Sequence, residues 1–213
     1  EMAARREGSD RIYRMTRPQM RDLAVAVLMD VSRSTESWVE GRQVIEIAKE
    51  ALFALSLGLT ACGDSHALYG FSSLKRNRVL VDKIKDYDEP FGPQITSRIS
   101  ALKPRFYTRM GAGIRHVADR LIARPNTHRL LLVITEGKPN DLDHYEGRYG
   151  VEDTAHAIRT ARQQGLRVFG ITIDAKAQSY FPHMFGAGGY AIVSHPDKLV
   201  TGLPVLYRHL VQG

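Results

Sequence analysis

The chain is poor in the residues that build disulfide-stapled, zinc-held or membrane-spanning proteins. It has one cysteine, Cys62, in 213 residues. That excludes an intramolecular disulfide and argues against a cysteine-built zinc site. No apolar run reaches the roughly 18 to 20 residues that a transmembrane helix needs. The longest candidate, Ala51 to Cys62, reads as a buried helix end, with Cys62 expected in the core. No signal peptide opens the chain, so the expected placement is cytoplasmic and away from membranes. There is no G-x-x-x-x-G-K-[ST] phosphate loop; Gly137-Lys138 imitates one weakly and is followed by proline. The eight histidines show neither H-x-x-x-H nor H-x-H spacing, so no metal is assigned to them. Opening at Glu1 rather than at a methionine, the chain is expected to be part of a longer protein.

What is present is ordinary globular composition. Hydrophobic residues make up 43% and charged residues 25%, too apolar for a wholly disordered chain. The net charge of +7 invites a nucleic-acid reading. The basic residues do not support it. They concentrate in Arg5, Arg6, Arg11, Arg14, Arg17 and Arg21, and again in Lys75, Arg76 and Arg78. Neither group is interleaved with base-stacking aromatics, so a solvated face or a protein-binding patch is the better reading.

Residues 1–22 are polar and basic and read as a linker or N-terminal arm; residues 23–213 read as one domain. Leu23–Met29, Arg129–Thr135 and Arg167–Ile173 are apolar runs of strand length, expected to be adjacent central parallel strands buried on both faces. His66–Phe71 and Arg78–Ile84 read as an antiparallel hairpin at the sheet edge. Tyr190–Val193 adds a short strand. Helical spacing covers Arg42–Leu59, with Gly58 and Gly63 as stop signals, then Ile95–Leu102, Gly111–Ile122, Glu152–Gln164 and Pro196–Val211. Pro204 should kink or split the last helix. Strands alternating with helices predict an α/β fold: a doubly wound, mostly parallel sheet with helices on both faces and one antiparallel edge strand. In such sheets ligands bind beyond the carboxyl ends of the strands.

The polar residues at those ends carry the functional argument. Asp30, Ser32 and Ser34 stand at alternate positions after the first strand. They offer hard oxygen donors, which select Mg²⁺, Mn²⁺ or Ca²⁺ over zinc. Taken alone, they read more readily as a helix-capping turn. Thr108 stands just before the glycine-rich start of a helix, and Glu136-Gly137 follows the second buried strand. Asp141, Asp143, Glu152 and Asp153 read either as a second acidic cluster or as residues that order the long loop Glu136–Gly150 and cap the next helix. Lys138 and Arg148 read as contacts for an acidic partner or as local partners of those acids. Asp174 reads as a site neighbour or a turn former, Trp38 as an exposed contact or a packed aromatic.

This order of motifs resembles a von Willebrand factor A domain with its metal-ion-dependent adhesion site, over nearly all of Leu23–Val211. There the pattern is Asp-x-Ser-x-Ser, a distant Thr, and Asp-Gly after the central strand. Here it falls on Asp30, Ser32, Ser34, Thr108 and Glu136, with Glu in place of the family's Asp. The run EGKPNDLDHYEGRYGVEDT from Glu136 to Thr154, and Phe185-Gly-Ala-Gly-Gly-Tyr190, are similar to the von Willebrand A domain at the C-terminus of the NorD and CbbO proteins. The resemblance implies a non-catalytic adaptor holding Mg²⁺ through Asp30, Ser32, Ser34, Thr108 and Glu136. The hydroxyls would ligate directly, with Asp30 one water away. Its implied partners are a MoxR-type AAA+ ATPase and a client enzyme, such as Rubisco or nitric oxide reductase, that contributes an Asp or Glu carboxylate. The extra methylene of Glu136 bears on metal affinity, because Mg²⁺ tolerates poor octahedral geometry badly. The rival reading is a magnesium-dependent phosphohydrolase on a similar sheet, which needs an in-line nucleophile and a phosphate clamp.

Overall fold

The computed structural model describes residues 22–193, 195 and 197–212, so the basic arm read in residues 1–22, apart from Asp22, lies outside the described residues. The chain runs β1 (Leu23–Asp30), β2 (Trp38–Val39), β3 (Arg42–Gln43), α1 (Val44–Ala61), β4 (Ser65–Ser73), β5 (Val79–Lys85), α2 (Pro93–Ser100), α3 (Met110–Ile122), β6 (His128–Thr135), α4 (Gly147–Gln163), β7 (Arg167–Thr172), α5 (Phe181–Phe185), β8 (Tyr190–Ile192) and α6 (Asp197–Gln212).

The main sheet has the order β5-β4-β1-β6-β7-β8. β4, β1, β6, β7 and β8 are mutually parallel, and β5 closes one edge antiparallel to β4. The three strands expected at the centre are therefore adjacent and parallel. All eight residues of β1 are buried, and strand alternation splits them between two cores. Ala24, Ala26 and Leu28 face Ile114 and Val117 of α3 and Ile158 of α4. Val25, Val27 and Met29 face Leu52 and Leu55 of α1 and Leu203 of α6. β6 divides in the same way, with Leu131 and Val133 on one side and Leu130, Leu132 and Ile134 on the other. A strand covered on both faces has no polar side, which is why these segments read as continuous apolar runs.

β1 leads through β4 to one side of the sheet, while β6 begins the other side. The connections thus diverge between β1 and β6, the position where sheets of this type open a crevice. Asp30 ends β1 there, and Thr135 ends β6.

Three expectations are corrected by the structure, and Pro204 does not split its helix. Helix α4 begins at Gly147, five residues before the expected Glu152. Its Gly147 and Gly150 look like loop residues, but Gly150 lets the helix pack closely on the loop that precedes it. A Cβ at Gly150 would lie 2.9 Å from the Pro139 carbonyl oxygen. Gly58 lies inside α1 rather than ending it; a Cβ there would touch the Pro204 ring at 3.8 Å. The turn falls at Gly63, whose φ of +73° suits glycine. Helix α6 continues unsplit through Pro204, its Leu199, Leu203 and Tyr207 buried in the core beside α1. Cys62 caps α1 and is exposed instead of entering the core. The short α5 had no counterpart in the sequence reading. Its Phe185 demands Gly170 on β7, where a Cβ would come within 2.5 Å of the ring.

One buried histidine links this fold to pH. The His66 Nδ1–H donates to the Asp64 carbonyl at 3.0 Å, so Nε2 accepts from the Ser56 hydroxyl at 2.9 Å. Burial, reinforced by Lys85 and opposed by the Asp64 hydrogen bond, pushes the His66 pKa down from 6.5 to about 4. The unfolded chain therefore takes up this proton first as pH falls. The stabilising contribution is complete above pH 6.5 and is lost towards about 4. In urea unfolding, the stability advantage of wild type over His66→Gln should shrink from pH 7.5 to pH 4.5. An advantage independent of pH would contradict this assignment.

Candidate metal centre

The five residues named from the sequence form one network at the β1/β6 rim. Asp30 is 2% exposed and sits at its base. Its Oδ1 accepts the Ser32 amide at 2.8 Å, and its Oδ2 accepts the hydroxyls of Thr135 at 2.9 Å and Thr108 at 3.0 Å. The chain leaves β1 and turns at once into a 3₁₀ segment, Arg33–Glu36, stabilised by the Thr35 hydroxyl donating to the Ser32 carbonyl. This turn brings the Ser32 and Ser34 hydroxyls within 2.8 Å of each other. Ser37 closes the ring by donating to Glu136 Oε2 at 3.4 Å. Thr108 is fixed by a backbone bridge to Asn140 in both directions, at 2.8 and 3.0 Å.

Two of these groups were missed by motif reading. Thr135 ends an apolar strand and looks like an ordinary β-former, yet its hydroxyl holds Asp30 and takes the Gly137 amide at 3.4 Å. A hydroxyl closing an otherwise apolar strand was the available signal. Ser37 gave none, because its reach to Glu136 spans 99 positions.

The electrostatics are one-sided. Burial raises the Asp30 pKa, while hydrogen bonds from Ser32, Thr135 and Thr108 pull it back. Burial likewise raises Glu136, to about 7, aided by the charges of Asp30 and Asp174 and opposed by the Ser34 and Ser37 hydroxyls. Asp174, after β7, accepts from the Tyr180 hydroxyl at 2.6 Å and from the Lys176 amide, so it serves as a turn former beside the site. Among the described residues no Lys, Arg or His side chain makes an ion pair with Asp30, Glu136 or Asp174.

The other acids have a different task. Asp141 accepts the Ser73 hydroxyl and the Lys75 and Leu142 amides, each at 2.7 Å. Asp143 pairs with Arg109, whose guanidinium lies 4.1 Å over the Tyr145 ring. Asp153 binds Arg115 at 2.9 Å and the Tyr145 hydroxyl. These residues order the long loop instead of forming a second acidic site, although Glu146, not one of them, precedes α4. Arg148 pairs locally with Glu152 at 3.8 Å. Lys138 lies 6.0 Å from the Tyr180 ring centre, and Trp38 is exposed.

The sheet order and the helices around it define a von Willebrand A-type fold. The von Willebrand factor type A protein of Catenulispora acidiphila superposes with a TM-score of 0.65 at 17% identity, over 87% of this chain and 42% of that one. The von Willebrand domain of a type V pili tip protein from Porphyromonas gingivalis gives 0.64 at 10% identity, over 90% of this chain and 96% of that one. In sequence, the chain is similar to Protein NorD of Brucella melitensis, with 50% identity over 210 residues. That match takes in 99% of this chain but 33% of NorD, so the chain spans only part of the length of the relatives it matches. No family model matches the chain. No helix among the described residues is long and apolar enough to cross a membrane.

Thr135→Val keeps the shape of the strand end and removes one donor from a buried carboxylate. Leaving that acceptor short should cost about 1–3 kcal/mol in metal-free urea unfolding. A loss below about 0.5 kcal/mol would show that Thr135 does not hold Asp30.

Proposed function

We propose that this domain binds a divalent cation at the β1/β6 rim and uses it to capture a carboxylate of a protein partner. The observation that carries the reading is the donor set: the hydroxyls of Ser32, Ser34 and Thr108 gather with the carboxylates of Asp30 and Glu136 at the rim, and among the described residues no basic side chain makes an ion pair with either acid. A dication would offset these acids, and the donors are the hard oxygens that suit Mg²⁺, with Mn²⁺ or Ca²⁺ as alternatives. Ser32, Ser34 and Thr108 would hold it with Glu136, and Asp30 would supply buried negative charge. Bound there, the ion offers a coordination position to an anionic oxygen. The adaptor role is what the resemblance to the NorD and CbbO group implies, and the 50% identity to Protein NorD is in keeping with that resemblance. In that role the partners are a MoxR-type AAA+ ATPase and a client metalloenzyme such as nitric oxide reductase, with Rubisco as the other candidate client.

The hydrolase reading is disfavoured by the geometry of Asp30. Three groups, one amide and two hydroxyls, already engage its oxygens inside the rim, and a nucleophile needs an oxygen free for in-line attack.

Calorimetric titration of Mg²⁺ into wild type, Glu136→Asp and the Ser32→Ala/Ser34→Ala double variant tests the ion. The aspartate variant should bind more tightly, and the double variant should not bind while losing only about 1 kcal/mol of stability. Equal or weaker binding by Glu136→Asp would mean that glutamate is adapted to this site. Silence of wild type with Mg²⁺, Mn²⁺ and Ca²⁺ alike would sink the metal reading. Co-precipitation of client and ATPase should be lost in the folded double variant; retention there would defeat the carboxylate-capture mechanism.

A further inference from the structure

Five large hydrophobic side chains are exposed among the described residues, and three of them gather around the rim centre. Trp38, 67% exposed, follows Ser37, whose hydroxyl reaches Glu136. Leu142, 56% exposed, lies two residues beyond Asn140, the backbone partner of Thr108. Tyr149, 60% exposed, meets Tyr145 edge-on at 5.4 Å, and Tyr145 lies under Arg109, the neighbour of Thr108. All three sit on fixed backbone. Trp38 is paired with Gln43 in the β2–β3 hairpin, the Leu142 amide is bound by Asp141, and Tyr149 is in the first turn of α4.

A second set of groups surrounds the same centre. The tip of the β4–β5 hairpin exposes Lys75 and Arg76. Asp141 and Asp143 bind their amides and so fix the tip beside Thr108, whose neighbour Tyr107 bridges to Ser73. On the β6 side, Lys138 is exposed two residues after Glu136. Exposed cations and bulky apolar side chains thus both border segments that carry the acidic, hydroxyl-lined centre.

Building on the carboxylate-capture reading, we propose that this face docks an acidic protein segment with a bulky apolar residue beside its carboxylates. The central carboxylate goes to the rim. Flanking acids meet Lys75, Arg76 and Lys138, and the apolar side chain packs on Trp38 or on Leu142 and Tyr149. Charge complementarity selects an acidic partner, and exposed tryptophan and tyrosine are the residue types that anchor protein interfaces. Because the backbone under all three anchors is already ordered, little entropy is lost on docking. A nucleic acid is the poorer occupant: its phosphates would face the carboxylates of Asp30, Glu136 and Asp174, and Leu142 offers no stacking surface.

The test uses the whole chain in Mg²⁺ and short acetylated peptides read by fluorescence anisotropy. One peptide alternates Glu with Leu and Phe, a second replaces the apolar residues by Ser, and a third replaces Glu by Gln. Oligothymidylate is the nucleic-acid control. The acidic–apolar peptide should bind at least about tenfold more tightly than the other two and than oligothymidylate. Trp38→Ala and Lys75→Glu/Arg76→Glu should each weaken it by about tenfold or more while Mg²⁺ titrates as in wild type. The proposal falls if no peptide binds, if the Ser or Gln peptide or oligothymidylate binds equally well, or if Trp38→Ala changes nothing. Peptide binding that persists in Ser32→Ala/Ser34→Ala but is lost in Trp38→Ala upholds the docking face and removes the ion. Normal Mg²⁺ binding with peptide affinity indifferent to Trp38 does the reverse.

Discussion

Everything at the rim depends on one buried carboxylate. Asp30 lies at the end of a strand with no exposed residue, and burial disfavours its charge. Its oxygens are held by groups from three separate segments: the turn after β1, the segment before α3 and the end of β6. Each donor fixes the position of the segment that supplies it. Asp30 therefore sets where Ser32 and Thr108 stand, and Thr135 carries that influence to Gly137. A buried polar cluster of this kind is costly unless every member is paired, and pairing is what makes the arrangement unique.

The sheet holds this cluster in register. β1 and β6 lie side by side from Leu23 opposite His128 to Met29 opposite Ile134, so Asp30 and Thr135 come out together at the rim. The apolar faces of both strands lock this register, because a slip of one residue would turn each side chain to the wrong layer. The rim loops sit on the most deeply buried part of the fold, and their own segments need little intrinsic stability.

The legibility of the sequence follows the same physics. β1, β6 and β7 were readable because two-sided burial leaves an unbroken apolar run. That Asp30, Ser32, Ser34, Thr108 and Glu136 would come together was readable because their order along the chain matches a known pattern, although hydroxyls and acids at strand ends are individually common. Where a distant partner decides, local reading failed. Gly150 belongs to a helix because Pro139 needs the room, Gly58 stays inside α1 facing Pro204, and Gly170 accommodates Phe185. Thr135 and Ser37 were hidden for the same reason: each acts through a side chain remote in sequence. The acids of the long loop left two readings open, and only their hydrogen bonds to the β4–β5 hairpin and to Arg109 decide between them.

Asp141 has a consequence for the order of folding. It accepts from Ser73 and Lys75, 68 and 66 positions away, and its loop contains no regular element before α4. Such a loop must await contacts of high sequence separation, which form late because the chain entropy between them is lost before they stabilise anything. A nascent or partly unfolded domain consequently lacks the face altogether, so any partner that reads this rim also reads whether the domain has finished folding.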